Sequence, residues 1–170
     1  YVWQGSKLAA DITDTYALYF HYDSSGEVIG FTRTANGTDT EYFYVKNLQG
    51  DILKVITATG TEAAAYTYDA WGKLLTSTGD LAEINPLRYR GYYYDTETQL
   101  YYVSSRYYDP EICRFVNTDD TENLGVDGNS ISYNLFAYCL NNPLNRSDED
   151  GNLSIPNWAK VAIGVVAIAV

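Results

Sequence analysis

Apolar and polar positions alternate with a period of two through much of the first ninety residues. Leu18, Phe20 and Tyr22 fall on one face of a strand, and Ala17, Tyr19 and His21 on the other. Tyr42 and Tyr44, and again Tyr66 and Tyr68, repeat the pattern. This period marks half-buried β-strands, whereas helical periodicity is weak anywhere before Leu153. The strands are punctuated by related units: Tyr22-Asp23-Ser-Ser-Gly26, then Tyr44 to Gly50 without the Asp, then Tyr68-Asp69-Ala-Trp71-Gly72, then Tyr94 to Gln99 with Gln in place of Gly. The turn positions Gly26, Gly50, Gly72 and Gln99 recur every 22 to 27 residues. Each unit predicts one hairpin: an aromatic strand, a turn, then an aliphatic strand. Asn36-Gly37 is a type I′ turn dipeptide, and Gly60 and Gly79 punctuate later hairpins. A hairpin cannot bury its faces alone, so the units are expected to stack into an extended sheet.

Leu87 to Phe115 concentrates the pattern, holding eight of the chain's 18 tyrosines. Tyrosine suits strands because its ring packs on a pleated surface while its hydroxyl reaches a polar partner. The pairs Tyr94-Asp95 and Tyr108-Asp109 end strands, since a short carboxylate bonds the following backbone and favours a turn. Arg88, Arg90, Arg106 and Arg114 are interleaved with these tyrosines. They are read as stacking on rings and pairing with Asp95 and Asp109, rather than as an anion-binding surface. Eleven Lys plus Arg against 22 Asp plus Glu give a net charge of −11, which argues against nucleic-acid binding. Two cysteines, Cys113 and Cys139, are too few for a disulfide scaffold or a zinc site and are expected as free thiols. The single histidine, His21, belongs to a strand and has no Cys near it in sequence. No Gly-rich phosphate loop is present, and Asp127-Gly128-Asn129 reads as a turn rather than a calcium loop, so neither a metal nor a cofactor is expected.

With Tyr-Asp-x-x-Gly units at this spacing, the chain resembles the YD-repeat or Rhs (rearrangement hotspot) family. Arg88 to Phe115 is similar to the Rhs-associated core, approximately YRGYYYDxETGLYYLxSRYYDPxxGRF, with Gln99 and Cys113 replacing two glycines. The likeness continues through Asn117-Thr-Asp119, Asn134-Leu-Phe-Ala-Tyr138 and Asn141-Asn142-Pro143. It ends at Asp148-Glu-Asp-Gly151-Asn152, where many relatives carry Asp-Pro-x-Gly. The resemblance implies an all-β architecture of YD-repeat hairpins forming part of a curved sheet shell around a toxic polypeptide. It also implies a secreted or bacterial cell-surface location, with neighbouring YD repeats and a C-terminal toxin domain of the parent chain as partners. In some relatives the core is linked with self-cleavage after the terminal motif. Aspartates are the implied catalysts, and teneurin adhesion receptors use a similar shell for display.

The candidate catalytic residues are Asp119 and Asp148, with Asp120 and Asp127 as weaker alternatives and the scissile bond near Asn152 and Leu153. A carboxyl pair cuts a peptide when one member activates water and the other supplies a proton. The alternative reading is that Asp119 and Asp148 cap turns by accepting backbone N–H groups. Beyond Leu153 the chain becomes apolar, and Val161 to Val170 carries no polar side chain. Pro156 suits a first helical turn, and Trp158 with Lys160 suits a membrane interface. A short apolar C-terminal helix is expected there, either membrane-associated or packed in the shell wall. The absence of Met and the bare apolar end lead us to expect a segment of a longer chain. The organisation expected is YD repeats over 1–86, a core over 87–152 and the start of a hydrophobic pre-toxin linker over 153–170. Three functions compete: a container that encapsulates and delivers a toxin in bacterial competition, a self-cleaving aspartyl-type protease, and a cell-surface carbohydrate-binding or adhesion module.

Overall fold

A computed structural model describes residues 1–125, 128, 130–152 and 154–156. Among them the regular elements are β-strands and short 3-10 turns, giving the all-β architecture that the alternation predicts. The chain forms two compact units, one of Tyr1–Thr67 with Leu74–Gly91, the other of Tyr68–Lys73 with the chain from Tyr92 onward.

In the first unit eight strands lie side by side in chain order: β1 (Val2–Gln4), β2 (Lys7–Ile12), β3 (Ala17–Tyr22), β4 (Val28–Ala35), β5 (Thr38–Lys46), β6 (Ile52–Thr57), β7 (Glu62–Tyr68) and β8 (Leu74–Thr78). The pairs from β1–β2 through β6–β7 are antiparallel. The register sets Phe31 opposite both Phe20 and Tyr42, and Tyr44 opposite Val55. One face is therefore buried, with Leu18, Phe20, Phe31, Val55 and Tyr66 inside, while Tyr19 and Phe43 on the other face are exposed. The Phe31 and Tyr42 rings stack at 5.2 Å.

The repeated turns share one device. Asp23 Oδ1 accepts the N–H groups of Ser25 (2.9 Å) and Glu27 (3.0 Å), and Asp69 Oδ1 those of Trp71 (2.8 Å) and Lys73 (2.9 Å). In the unit that lacks Asp, Asn47 Oδ1 accepts from Gln49 and Asp51 in the same positions. An amide oxygen serves this purpose as well as a carboxylate. The glycine three residues on takes a left-handed φ of 89° at Gly26, 93° at Gly50 and 88° at Gly72. Asn36 and Gly37, at φ 51° and 73°, form the expected turn with both central residues left-handed.

The second unit is built on a four-stranded antiparallel sheet of β9 (Tyr93–Asp95), β10 (Leu100–Val103), β11 (Arg106–Asp109) and β12 (Arg114–Phe115), in the order β12-β11-β10-β9. A small ladder joins β13 (Arg146–Ser147) to β14 (Ile155–Pro156). Tyr101, Tyr108, Phe115 and Tyr138 are fully buried, and the Tyr108 and Tyr138 ring centroids lie 4.1 Å apart. Burial leaves the phenol hydroxyls needing partners, and the Trp71–Gly72 turn supplies them. Tyr101 Oη donates to the Gly72 carbonyl at 2.9 Å and Tyr108 Oη to the Trp71 carbonyl at 2.7 Å. Gln99 and Cys113, at the two positions where the resemblance implies glycine, take left-handed φ values of 61° and 59°. Both cysteines are free thiols.

Three of the four arginines stack on rings as expected: Arg88 lies 5.4 Å over Tyr66, Arg90 5.3 Å over Tyr89 and Arg106 3.6 Å over Phe115, whereas Arg114 is exposed. Their acidic partners differ from those expected. Arg90 pairs with Asp51 at 3.4 Å, and Arg106 with Asp119 and Asp148. Asp95 and Asp109 instead accept the turn N–H groups of Glu97 and Glu111, at 3.0 and 2.8 Å. The expected C-terminal helix, with Trp158, Lys160 and Val161 to Val170, lies outside the described residues. No helix among the described residues is long and apolar enough to cross a membrane.

Candidate functional site

The site starts at the tip of the β10–β11 hairpin. Ser104 takes a left-handed φ of 53°, which closes a tight turn and starts β11 at Arg106. Two residues before Tyr108 on the same strand, Arg106 shares its buried face. Its side chain is 5% exposed, with the guanidinium carbon 3.6 Å from the Phe115 ring centroid. A guanidinium buried this deeply needs partners for its N–H groups, and each of its three nitrogens finds at least one. Nη1 donates to the Leu135 carbonyl at 2.9 Å, Nε to the Gly151 carbonyl, and Nη2 to the Asn152 carbonyl at 3.4 Å. The same Nη2 pairs with Asp119 Oδ2 at 2.9 Å and faces Asp148 Oδ2 at 3.7 Å.

The structure thus brings together the two aspartates singled out in the sequence. Asp119 Oδ1 is also engaged, accepting from the Asp120 N–H (2.7 Å) and Asn123 Nδ2 (2.8 Å). Asp148 is buried, and its Oδ1 accepts the N–H groups of Gly151 (2.8 Å) and Asn152 (3.2 Å). Both therefore also act as turn caps. Burial pushes the Asp148 carboxyl up to about 6; the Asp150 charge adds to this, while Arg106 and the two N–H groups pull the other way. Burial likewise lowers Arg106, against the opposing pull of Asp119, Asp148 and Asp150. Asp120 caps a 3-10 turn through the Glu122 N–H at 3.1 Å, away from this cluster of bonds. Asp127 and Leu153 lie outside the described residues.

The terminal motif is clasped by the hairpin tip. Ser104 Oγ donates to the Glu149 carbonyl at 3.3 Å, and Ser105 Oγ contacts the carbonyls of Asp150 (2.8 Å) and Gly151 (3.1 Å). With Arg106 on Gly151 and Asn152, four consecutive carbonyls are held by three consecutive side chains. Gly151 is required here: at φ 75° a Cβ would drive into the Val103 carbonyl oxygen and sit 2.6 Å from Ser105 Oγ. Beside the clasp a pocket lined by Asp119, Asp148, Asn152, Asn123 and Ser154 encloses about 40 Å³, room enough for ordered water. Two carboxylates, a guanidinium on the Asn152 carbonyl and a water-sized pocket thus lie together.

Arg106 and the two serines are not legible as site residues in the sequence, which presents Arg106 only as a ring-stacking strand residue. The available signal is Ser-Ser-Arg at the tip between two tyrosine strands, which places a cation on the buried face.

Hairpins turned by Asp or Asn with a left-handed Gly, followed by a small sheet with a tyrosine core, define a YD-type shell wall. The chain belongs to the Rhs/YD-shell family: the Teneurin YD-shell family matches residues 10–144. It is similar to the tRNA3(Ser)-specific nuclease WapA of Bacillus spizizenii, 36% identical over 172 residues, covering 98% of this chain and 7% of the relative. It is similar to the tRNA nuclease WapA of Bacillus subtilis, 41% identical over 128 residues, covering 75% of this chain and 5% of the relative. The chain therefore spans under a tenth of these relatives. Among solved structures, TcdB2-TccC3 shares the fold at a TM-score of 0.61 and 21% identity, over 84% of this chain and 8% of that one.

Proposed function

We propose that this chain is the closing part of an Rhs-type shell that encloses a toxin domain of the same parent chain. The parent is a secreted or surface-displayed bacterial protein that delivers its toxin to competing cells. The observation that carries this is the sheet itself, a hairpin meander in chain order with one apolar face buried and β1 at its edge. The WapA relatives are named as nucleases, yet this chain's charge of −11 suits a wall better than an RNA-binding surface. The burial of Tyr89, Tyr92, Tyr101 and Tyr108 favours a container over a sugar-stacking surface. Limited proteolysis of the parent protein tests it: the toxin domain resists digestion in the intact shell and is degraded once the shell is unfolded. Equal digestion in both states counts against enclosure.

A second reading is favoured by the convergence of Asp119, Asp148 and the Asn152 carbonyl on one guanidinium: the core cuts its own chain after Asn152. Asp148 Oδ2, which accepts no backbone N–H from the described residues, takes a proton from water, whose oxygen bonds to the Asn152 carbonyl carbon. The Asn152–Leu153 C–N bond breaks, and the proton leaves with the Leu153 amine. Asp119, whose oxygens accept from the Asp120 N–H, Asn123 and Arg106, holds Arg106 in place. A chain extended past residue 170 tests this by intact mass: two fragments divided at Asn152 are expected, and a single uncut species rules it out.

A further inference from the structure

Resting on that cleavage reading, we infer that Arg106 is itself a catalytic residue. It polarises the Asn152 carbonyl during bond breaking and afterwards holds the carboxylate that cleavage creates, so that the reaction runs once and leaves its own product docked.

An arginine buried only to neutralise two aspartates would aim its donors at their oxygens. Beside its ion pair with Asp119, Arg106 also donates from Nε, Nη1 and Nη2 to backbone carbonyls, and two of these, Gly151 and Asn152, are consecutive and end at the scissile bond. The Nη2 contact to Asn152 is long, at 3.4 Å, beside a short ion pair of 2.9 Å to Asp119. That is the arrangement in which a donor binds weakly to a neutral carbonyl and strongly to the oxyanion that forms when water adds. Stabilisation that grows towards the transition state lowers the barrier. The carbonyl does not drift from this donor, because Ser104 and Ser105 hold Glu149, Asp150 and Gly151.

The same geometry governs the fate of the product. When the C–N bond breaks, the amine of Leu153 departs with a proton and Asn152 becomes a carboxylate with a full negative charge. Its oxygen is already within reach of a cation, and a neutral hydrogen bond becomes a charge-assisted one. None of the serine contacts to residues 149–151 involves the broken bond, so the new chain end stays in the clasp and blocks the site.

The test uses the chain extended past residue 170. Cleavage is followed by intact mass in the native protein, in Arg106→Gln and in Arg106→Lys, with circular dichroism to establish that each folds. Removing a single oxyanion donor slows hydrolysis by roughly 10²–10³-fold, the loss expected for Arg106→Gln, with Arg106→Lys lying between it and the native protein. A second measurement needs no variant: once cut, the native protein is treated with a carboxypeptidase, and Asn152 is expected to resist trimming. If the native chain is never cut, the cleavage reading itself falls. If it is cut but folded Arg106→Gln cleaves within threefold of it, or Asn152 is trimmed as fast as from an unfolded peptide, the role of Arg106 alone is overturned.

Discussion

Asp148→Asn isolates the most unusual electrostatic feature of the second unit. A carboxyl at about 6 in the folded chain binds its proton more tightly there than in the unfolded chain, where an Asp titrates at ~3.9. Above pH ~6 the folded state carries the full cost of a buried charge, and as pH falls towards ~4 protonation removes that cost, so acid stabilises this unit through Asp148. Linkage across that gap gives about 2 kcal/mol of stability gained between about pH 7.5 and 4.5. The variant keeps an Oδ1 acceptor for the Gly151 and Asn152 N–H groups but has no charge to lose. Every other titrating group is common to both proteins, so their difference in stability reports on Asp148 alone. Urea unfolding followed by near-ultraviolet dichroism of the buried tyrosines measures it at each pH. The native protein is expected to gain about 2 kcal/mol on Asp148→Asn over that range. A pH-independent difference, or one of opposite sign, refutes the assignment of a buried, strained charge at this position.

The backbone yields two further outcomes. Gly151→Ala combines a left-handed residue, costing ~1–2 kcal/mol, with the loss of several clasp hydrogen bonds at ~1 kcal/mol each, so denaturant unfolding should show a loss of about 3–5 kcal/mol. A loss below about 1 kcal/mol means the terminal motif is not held as described. Gln99→Gly and Cys113→Gly each relieve a left-handed side chain at the expense of unfolded-chain entropy, and each should raise stability by about 0.5–1 kcal/mol. Thermal melts check this, and a drop in either variant contradicts the strain argument.

The hairpin wall is legible because its signals are local. Alternation at Leu18, Phe20 and Tyr22 states which face is buried, and Gly26, Gly50 and Gly72 mark turns that need a left-handed residue. Asn47 is harder to see, because its unit lacks the Asp of the others, although an amide oxygen caps the turn equally well. The arginine partners differ from expectation because nearness in sequence favours Asp95 and Asp109, whose carboxylates are used up by their own turns. The candidate aspartates come from resemblance rather than periodicity, since the described residues between Val116 and Asn152 are mostly loops and single 3-10 turns. What joins Asp119 to Asp148 is Arg106, distant in sequence from both, and a contact closed only by folding leaves no trace in local pattern.

The most direct measurement is the intact mass of the native chain extended beyond residue 170, compared with Asp148→Asn and Asp119→Asn. The account predicts that the native chain separates into two pieces whose junction is Asn152 and Leu153, that Asp148→Asn stays whole, and that Asp119→Asn, with Arg106 no longer anchored, is cut more slowly. A native chain that stays whole, or an Asp148→Asn chain cut as readily as the native one, contradicts it.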